Sequence, residues 1–459
     1  MVTVRTRAVC IMAAFLAIAA YVSAATPVPD GAPAPHWSDR LKNIALGPFR
    51  LDVGGSVRFR YEYQNDFNIQ RYADDRKPGL RSDHFLLQRT RLDFDLHLGE
   101  DAHVYTQLQD ARAYGSNFRK DDFAWGCPYW NPLTVRQAWL EWRRIGASPL
   151  GVKIGRQAIH YGDNRIWGPG EWGNVGRYTW DAAKLIVETD LAEVHGIFAN
   201  RVEYDPHSFD EHNSRLDAYG VYAMIKKLPC TLDLFWVGKR TRPRMAADPM
   251  GAVVDLDTHT VGVYVDGKAG KGWDYRGTLA HTFGERNGID VDAFGGNVRA
   301  GYTFDAAWQP RVGLEYSFAT GSSGEPGSDC ETFDGVFGAI DRMYGRMNFF
   351  SWRNLQDYQV SVSCRPHKKT QVAVDYHVFR LDDDRDGWYW CSGLPARRDP
   401  TGEAGSKVGQ EIDVLATYRH SDHLTFKAGY AHFFAGSFLE RTGPSPDADW
   451  FFFQTQYSF

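Results

Sequence analysis

The chain has 459 residues, with 52 Lys and Arg against 57 Asp and Glu and a formal net charge of -5 at pH 7. This mild acidity argues against a nucleic-acid binder, and the length suits either several soluble domains or one large barrel. A mean hydropathy of -0.44 fits a soluble protein, but it equally fits a transmembrane barrel, in which only one face of each strand meets lipid.

Met1–Ala25 reads as a secretory signal peptide. Arg5 and Arg7 supply the charged start, Ala8–Ala20 the apolar run and Val22-Ser23-Ala24 the small-residue cleavage site. The run is too short to span a bilayer comfortably as a helix. Residues 26–47 follow as a Pro- and Ala-rich lead-in, expected to be mobile and periplasmic. No later run is apolar enough for a membrane helix.

From residue 48 to 459 the sequence reads as one barrel. Successive side chains of a strand point to opposite faces, and several segments alternate accordingly. Val57, Phe59, Tyr61 and Tyr63 alternate with Arg58, Arg60, Glu62 and Gln64. Leu92, Phe94, Leu96 and Leu98 alternate with Arg91, Asp93, Asp95 and His97. Val312–Phe318, Tyr358–Val362 and Leu424–Tyr430 repeat the pattern. In a sandwich the charged faces would point to bulk water; in a porin they point to a wet lumen.

Loop lengths separate those two readings. Within Pro132–Arg201, four short strand-like segments are separated by a short turn, the long Gly-, Trp- and Asn-rich stretch Tyr161–Trp180, and a second short turn. The rhythm continues along the chain. Long connections are expected near Asn65–Asp83, Ala113–Asn131, Tyr161–Trp180, Val202–Leu216, Lys239–Asp257, Gly284–Ala293, Thr320–Arg353, Asp382–Gly409 and Ala435–Ala448, with short turns between them. The pattern predicts an all-β, up-and-down antiparallel transmembrane barrel of about 18 strands, with short periplasmic turns, long extracellular loops and both termini periplasmic. Phe451, Phe453, Thr455, Tyr457 and Phe459 share one face of the final strand. Such an ending resembles the signal read by the barrel-assembly machinery, and aromatics there also suit the interfacial girdle.

Without Cys10, five cysteines remain, in neither CxxC nor zinc spacing. Cys127, Cys330 and Cys391 fall in loops expected on one side, and spacing does not select a pair.

Several scattered pieces resemble the alginate export family of outer-membrane barrels. They are Val135-Arg136-Gln137-Ala138-Trp139, Ile154-Gly155-Arg156-Gln157, Trp180-Asp181, Phe349–Leu355, Tyr376–Asp384 and Gly409-Gln410-Glu411-Ile412-Asp413. The resemblance implies an eighteen-stranded barrel that passes an anionic uronate polysaccharide outward through a pore lined by basic side chains. It carries Arg136 and Arg156 into that lining, with Arg353 a looser match. Two features depart from the family pattern. Its best-known members carry a long plugging turn before the last two strands, whereas here that turn is Ser421-Asp422-His423. The expected lumen is also mixed, with Arg58, Arg60, Arg89, Arg91, Arg276, Arg299, Arg311 and Lys427 facing Asp93, Asp95, Asp274, Glu315, Asp375 and Asp413.

The arginine rows are the main functional candidate. Arg58 with Arg60, and Arg89 with Arg91, sit two apart on polar faces of neighbouring strands. Guanidinium groups hold carboxylates bidentately and stay charged, and rows of Arg favour anions in a pore. Asp93 and Asp95 would keep a bound chain from sticking. The alternative is a wall-stiffening network with Glu62, Asp93 and Asp95. Arg156 has a parity problem: in a regular strand it shares the face of Val152 and Ile154, toward lipid. Either a bulge at Gly155 turns it inward, the reading favoured here, or it lies at the outer rim. Asp382-x-Asp384-x-Asp386-Gly387 resembles the start of a calcium loop in an extracellular connection, although Gly393 stands where the closing acid belongs. No other cofactor is expected.

The sequence therefore describes a non-enzymatic channel, as no nucleophile motif is visible. An anionic polysaccharide is the expected cargo, with a general or small-solute porin as the alternative. The expected partners are outer-membrane lipid and lipopolysaccharide, the barrel-assembly machinery and periplasmic export proteins, around a monomer. With every periplasmic turn short, the occluding candidates are the loops Thr320–Arg353 and Asp382–Gly409.

Overall fold

The computed structural model describes residues 36–73, 81–123, 126–241, 255–325 and 327–459. The signal peptide expected at 1–25 and the first part of the lead-in lie outside the described residues. Eighteen long strands follow in chain order. They are β1 (Phe49–Asn65), β2 (Asp83–His97), β3 (Ala102–Tyr114), β4 (Asn131–Trp142), β5 (Leu150–Gln157), β6 (Trp180–Glu188), β7 (Ala192–Glu203), β8 (Glu211–Ile225) and β9 (Thr231–Thr241). The second half comprises β10 (Leu256–Ala269), β11 (Trp273–Arg286), β12 (Ile289–Thr303), β13 (Arg311–Ala319), β14 (Leu355–His367), β15 (Thr370–Arg380), β16 (Lys407–Arg419), β17 (Leu424–Ala435) and β18 (Ala448–Ser458). Each strand pairs antiparallel with its sequence neighbours, and β18 closes on β1 with Gln456 opposite Arg58. Closure removes the unpaired sheet edges that a flat sheet of this size would expose.

Alternation sorts the two faces as the sequence indicates. Phe59, Tyr61 and Tyr63 of β1, Leu314 of β13 and Val360 of β14 point outward and are exposed, whereas Arg58, Arg60 and Glu62 point inward and are buried. At the long-loop end the inward positions are small, with Ala199, Ala218, Ala280, Ala293, Ala319 and Ala431 all buried. The space they leave is filled by aromatic side chains from the loops, including Trp167, Phe333, Phe337, Phe349, Trp352 and Trp388, so the main hydrophobic core lies inside the barrel at that end. Burying these rings stabilises the inward loops by about 2 kcal/mol per side chain.

Two expectations change. The connection Gly284–Ala293 is not a long loop. β11 runs to Arg286, β12 starts at Ile289, and Asn287-Gly288 forms the whole turn, both residues with positive φ (53° and 74°). Asn-Gly suits that geometry because both residues tolerate left-handed backbone, which matches the twist of a two-residue hairpin. The described part of the lead-in is also folded. Residues Trp37–Leu41 form a 3-10 turn and Ile44–Leu46 pairs with the start of β1. Trp37 Nε1 donates to Tyr457 Oη at 2.8 Å, and its ring lies 5.1 Å from that of Phe459. Phe459 itself exchanges backbone hydrogen bonds of 3.0 Å with Gly55.

Candidate functional site

The connection between β5 and β6, residues 158–179, folds into the barrel. Its backbone carbonyls meet the arginines of the β1–β2 wall. Arg58 donates to Trp172 O at 3.1 Å and to Gly173 O at 2.9 Å. Arg60 donates to Trp172 O at 2.7 Å, stacks its guanidinium 4.3 Å from the Trp172 ring and pairs with Glu62 at 2.6 Å. Arg89 donates to Glu171 O at 3.0 Å and Gly173 O at 3.1 Å. Arg91 binds the Glu171 carboxylate at 2.6 Å, as does Arg136 from the neighbouring β4. Arg58, Arg60, Arg89 and Arg91 lie together on this wall, Arg136 joins them from β4, and the chain's own Glu171 carboxylate sits among Arg89, Arg91 and Arg136. Burial alone would raise the Glu171 carboxyl, but Arg136, Arg91 and Arg89 outweigh it and hold that group well below the usual carboxylate range.

Arg136 reaches this site because β4 is bulged. Gln107 of β3 faces Gln137, and the next residue, Leu108, faces Val135, so Arg136 is the extra residue. The bulge turns both Arg136 and Gln137 inward, which explains the broken alternation near Trp139. Gly176 completes the fit: a Cβ there would stand 2.7 Å from an Arg136 guanidinium nitrogen.

The bulge favoured at Gly155 is not found. β5 keeps an unbroken register with both neighbours through Arg156. Gly155 has φ +125°, and a Cβ there would stand 2.3 Å from Ala138 O, so the glycine serves close strand approach. Arg156 stays on the face of the exposed Ile154, one residue from the end of its strand, and is satisfied at the rim. It clasps Asp181 of β6 with contacts of 2.7 and 3.0 Å and donates to Asp210 O at 3.1 Å. The pairing accommodates the charge that parity would otherwise leave facing outward.

Other candidates are dispersed. Asp93 accepts from Gln107 at 2.7 Å and Asp95 contacts His103 at 2.8 Å. Arg353 pairs with Asp334 at 2.9 Å, and Lys239 reaches the same carboxylate at 2.6 Å. Although burial would raise Asp334, those two cations hold its carboxyl far below the usual range. Asp382 accepts from Gly321 N and Gln356, and Asp386 from Ser322 N, Thr332 and Tyr389. These two carboxylates knit loops together through N–H and O–H donors, and they do not converge with Asp384 on one point. Cys127, Cys330 and Cys391 are unpaired.

The loop 320–354 also turns inward, and the family-like segments anchor it. Glu411 accepts from Met347 N at 3.0 Å and Asp413 from Arg346 N at 3.3 Å. Phe350 stacks on Phe379 at 4.1 Å. Between this loop and the β11–β18 wall lies a cavity of about 600 Å³. Its lining carries eight basic side chains, Arg165, Arg276, Arg299, Arg311, Arg342, Arg346, Arg419 and Lys427, against three acidic ones, Asp163, Glu315 and Asp375. Arg276, Arg311 and Arg346 are paired with Asp266, Asp274 and Asp375. Arg299, Arg342, Arg419 and Lys427 have no carboxylate within ion-pair distance among the described residues. A second cavity of about 170 Å³ continues toward the long loops, lined by Arg177, Arg201, Lys239 and Arg353. Arg165 lines both cavities. It is held by Asp163 at 3.0 Å, by Ser317 at 3.2 Å and by Glu315, with its guanidinium 5.2 Å from the Tyr344 ring. The sequence reading missed Arg165, Glu171, Arg342 and Arg346, which lie in loops where no alternation assigns a face.

The sequence matches the family described as alginate export over residues 49–452. No individually curated protein matches it. Among solved structures, the outer membrane protein OpdK from Pseudomonas aeruginosa is similar in fold, with TM-score 0.56, 12% identity, and 89% of this chain and 98% of that one covered. OccD3 (OpdP) from the same organism gives TM-score 0.55 at 12% identity over 89% and 91% of the two chains. OccAB3 from Acinetobacter baumannii gives 0.56 at 9% identity over 89% and 99%.

Proposed function

The chain belongs to the alginate export family and is an outer-membrane channel; from that premise we propose that it passes an anionic polysaccharide of the polyuronate class outward, passively, through a basic lumen. The observation that supports this reading is the succession of cations through both cavities. Arg419, Lys427, Arg299 and Arg342 line the larger one, Arg165 lines both, and Arg177, Arg201, Lys239 and Arg353 line the smaller. Guanidinium groups bind a uronate carboxylate through two parallel hydrogen bonds. A low-dielectric wall focuses the field of such a row on a passing polyanion. Asp163, Glu315 and Asp375 keep each contact weak, and transport requires weak, repeated binding rather than capture. In this reading both termini and the short turns are periplasmic, the long loops face outward, and lipid and lipopolysaccharide cover the exposed apolar belt.

A small-anion porin is the second reading, and one observation favours it. The inward loops divide the lumen at Arg165, and two modest cavities suit a single small carboxylate without any loop movement. Single-channel recording separates the two. Polyuronate at the short-turn side should block current in a voltage-dependent manner, while a neutral glycan of equal length should not. Block by small carboxylates with none by polyuronate would replace the first reading with the second.

A further inference from the structure

We propose that the short-turn mouth of the barrel holds a divalent transition-metal site of the zinc class, built from His97, His103, Asp95 and Asp52. Three strands deliver these groups. Asp52 and Asp95 stand opposite each other on β1 and β2, and His97 and His103 stand opposite each other on β2 and β3. Both pairs lie on the lumenal face, one strand apart, next to the tight turn closed by Leu98 N to Ala102 O at 2.8 Å. The register therefore fixes the constellation.

The donor atoms already converge. His103 Nδ1 lies 2.8 Å from one Asp95 oxygen and His97 Nε2 lies 3.9 Å from the other. His97 Nε2 is also 3.2 Å from Asp52 Oδ2. One atom each from Asp95, His97 and His103 fit within 4.8 Å of one another. Metal–ligand bonds of about 2.0–2.2 Å put the donor atoms of a tetrahedral site roughly 3.4 Å apart. Small rotations of the two imidazoles achieve that spacing. Two nitrogens and one or two carboxylate oxygens form a borderline donor set suited to zinc rather than to calcium or magnesium, which take oxygen donors.

Neighbouring contacts orient these ligands. Asn43 N donates to Asp52 Oδ1 at 2.6 Å, leaving Oδ2 directed at His97. The His103 ring meets Trp139 edge-on at 5.0 Å and lies nearly parallel to the His97 ring at 5.6 Å. Of the nearby cations, Lys42 is tied through Nζ to Val53 O at 2.9 Å and Lys153 to Glu141 at 3.1 Å. Such supporting contacts pre-organise a metal site and carry part of its affinity. The ligands are part-exposed, so a hydrated ion can enter from the lumen.

The test uses tag-free, folded, full-length protein in detergent, titrated with zinc by calorimetry and with cobalt by visible absorption. The expected result is one equivalent bound, with the d–d spectrum of imidazole and carboxylate ligation. H97A/H103A should bind more than about tenfold more weakly, whereas H281A/H432A, which removes two other histidines that contact aspartates, should bind as the parent does. Heat-modifiable mobility reports folding of each variant, and the singles H97N and H103N carry the same test should the double variant not fold. Equal zinc affinity in parent and H97A/H103A, loss of binding in H281A/H432A, or no bound equivalent in the parent overturns the proposal.

Discussion

Two arginine-rich stretches of the lumen wall adjoin at the β18–β1 seam, where Gln454 lies between Arg60 and Lys427, and they are used differently. On the β1, β2 and β4 side, five arginines close around a single loop. Glu171 and the carbonyls of residues 171–173 take up much of their donor capacity. On the β11–β18 side, Arg299, Arg419 and Lys427, with Arg342 from the opposing loop, line open space. Clustering alone therefore does not identify a binding surface in a pore. A dense cluster offers so much uncompensated charge that the protein supplies its own anion, whereas spaced cations can remain available to solute. The expectation to test is therefore that Arg299, Arg419 and Lys427 bear on selectivity more than Arg89 and Arg91 do.

The contrast can be broken most directly by removing the occupant. Replacing residues 164–176 with a short Gly-Ser bridge should raise single-channel conductance severalfold, since the segment lies within the lumen. Unchanged conductance would mean that ions bypass the loop. Next in size is charge removal from the open wall. R299S/R419S/K427S should reduce anion preference by roughly threefold, read as the zero-current potential in a salt gradient. R89S/R91S should instead add conductance noise by loosening the loop, with a smaller shift of potential. An equal shift from both variants would erase the distinction between the walls.

Acid offers a finer probe. The Glu171 carboxyl is held well below its ordinary value of 4.5. Its stabilisation of the docked loop is therefore fully present above that value and is lost only as pH falls through the depressed one. Recordings at pH 5 should match those at pH 7, with loop noise appearing only in stronger acid, whereas E171Q should be noisy at both. Noise already present at pH 5 in the parent would place the latch elsewhere. The smallest effect belongs to Arg156. R156S should leave ion preference unchanged and lower stability by about 1–2 kcal/mol, the size of a charge-assisted rim contact. A shift in selectivity would return Arg156 to the lumen.

The fold was legible because strand parity and loop length are local signals. Arg58, Arg60, Glu62 and the exposed Phe59, Tyr61 and Tyr63 took the faces their alternation dictates. Asn287-Gly288 carried an equally clear hairpin signal, and a rule of strict loop alternation obscured it. The site was less legible. Arg136 points inward through a bulge recognisable only from its pairing with β3. Arg165 and Glu171 sit in a loop whose path is set by tertiary contacts with distant strands. The family-like segments also make structural contacts. Arg156 and Asp181 pair across β5 and β6, and Phe350, Phe379, Glu411 and Asp413 dock the second inward loop.

The seam between β18 and β1 has a consequence for biogenesis. The hydrogen bond from Trp37 to Tyr457 joins positions 420 residues apart, and no earlier strand can substitute for the last one. Hairpins along the chain can form as soon as their sequence is available, but each partial sheet exposes two unsatisfied edges until the first and last strands meet. Closure is therefore a single late event with a large loop-entropy cost, and every intermediate before it is prone to edge-to-edge association. The seam is thus the step at which the open sheet becomes a closed barrel and assembly commits.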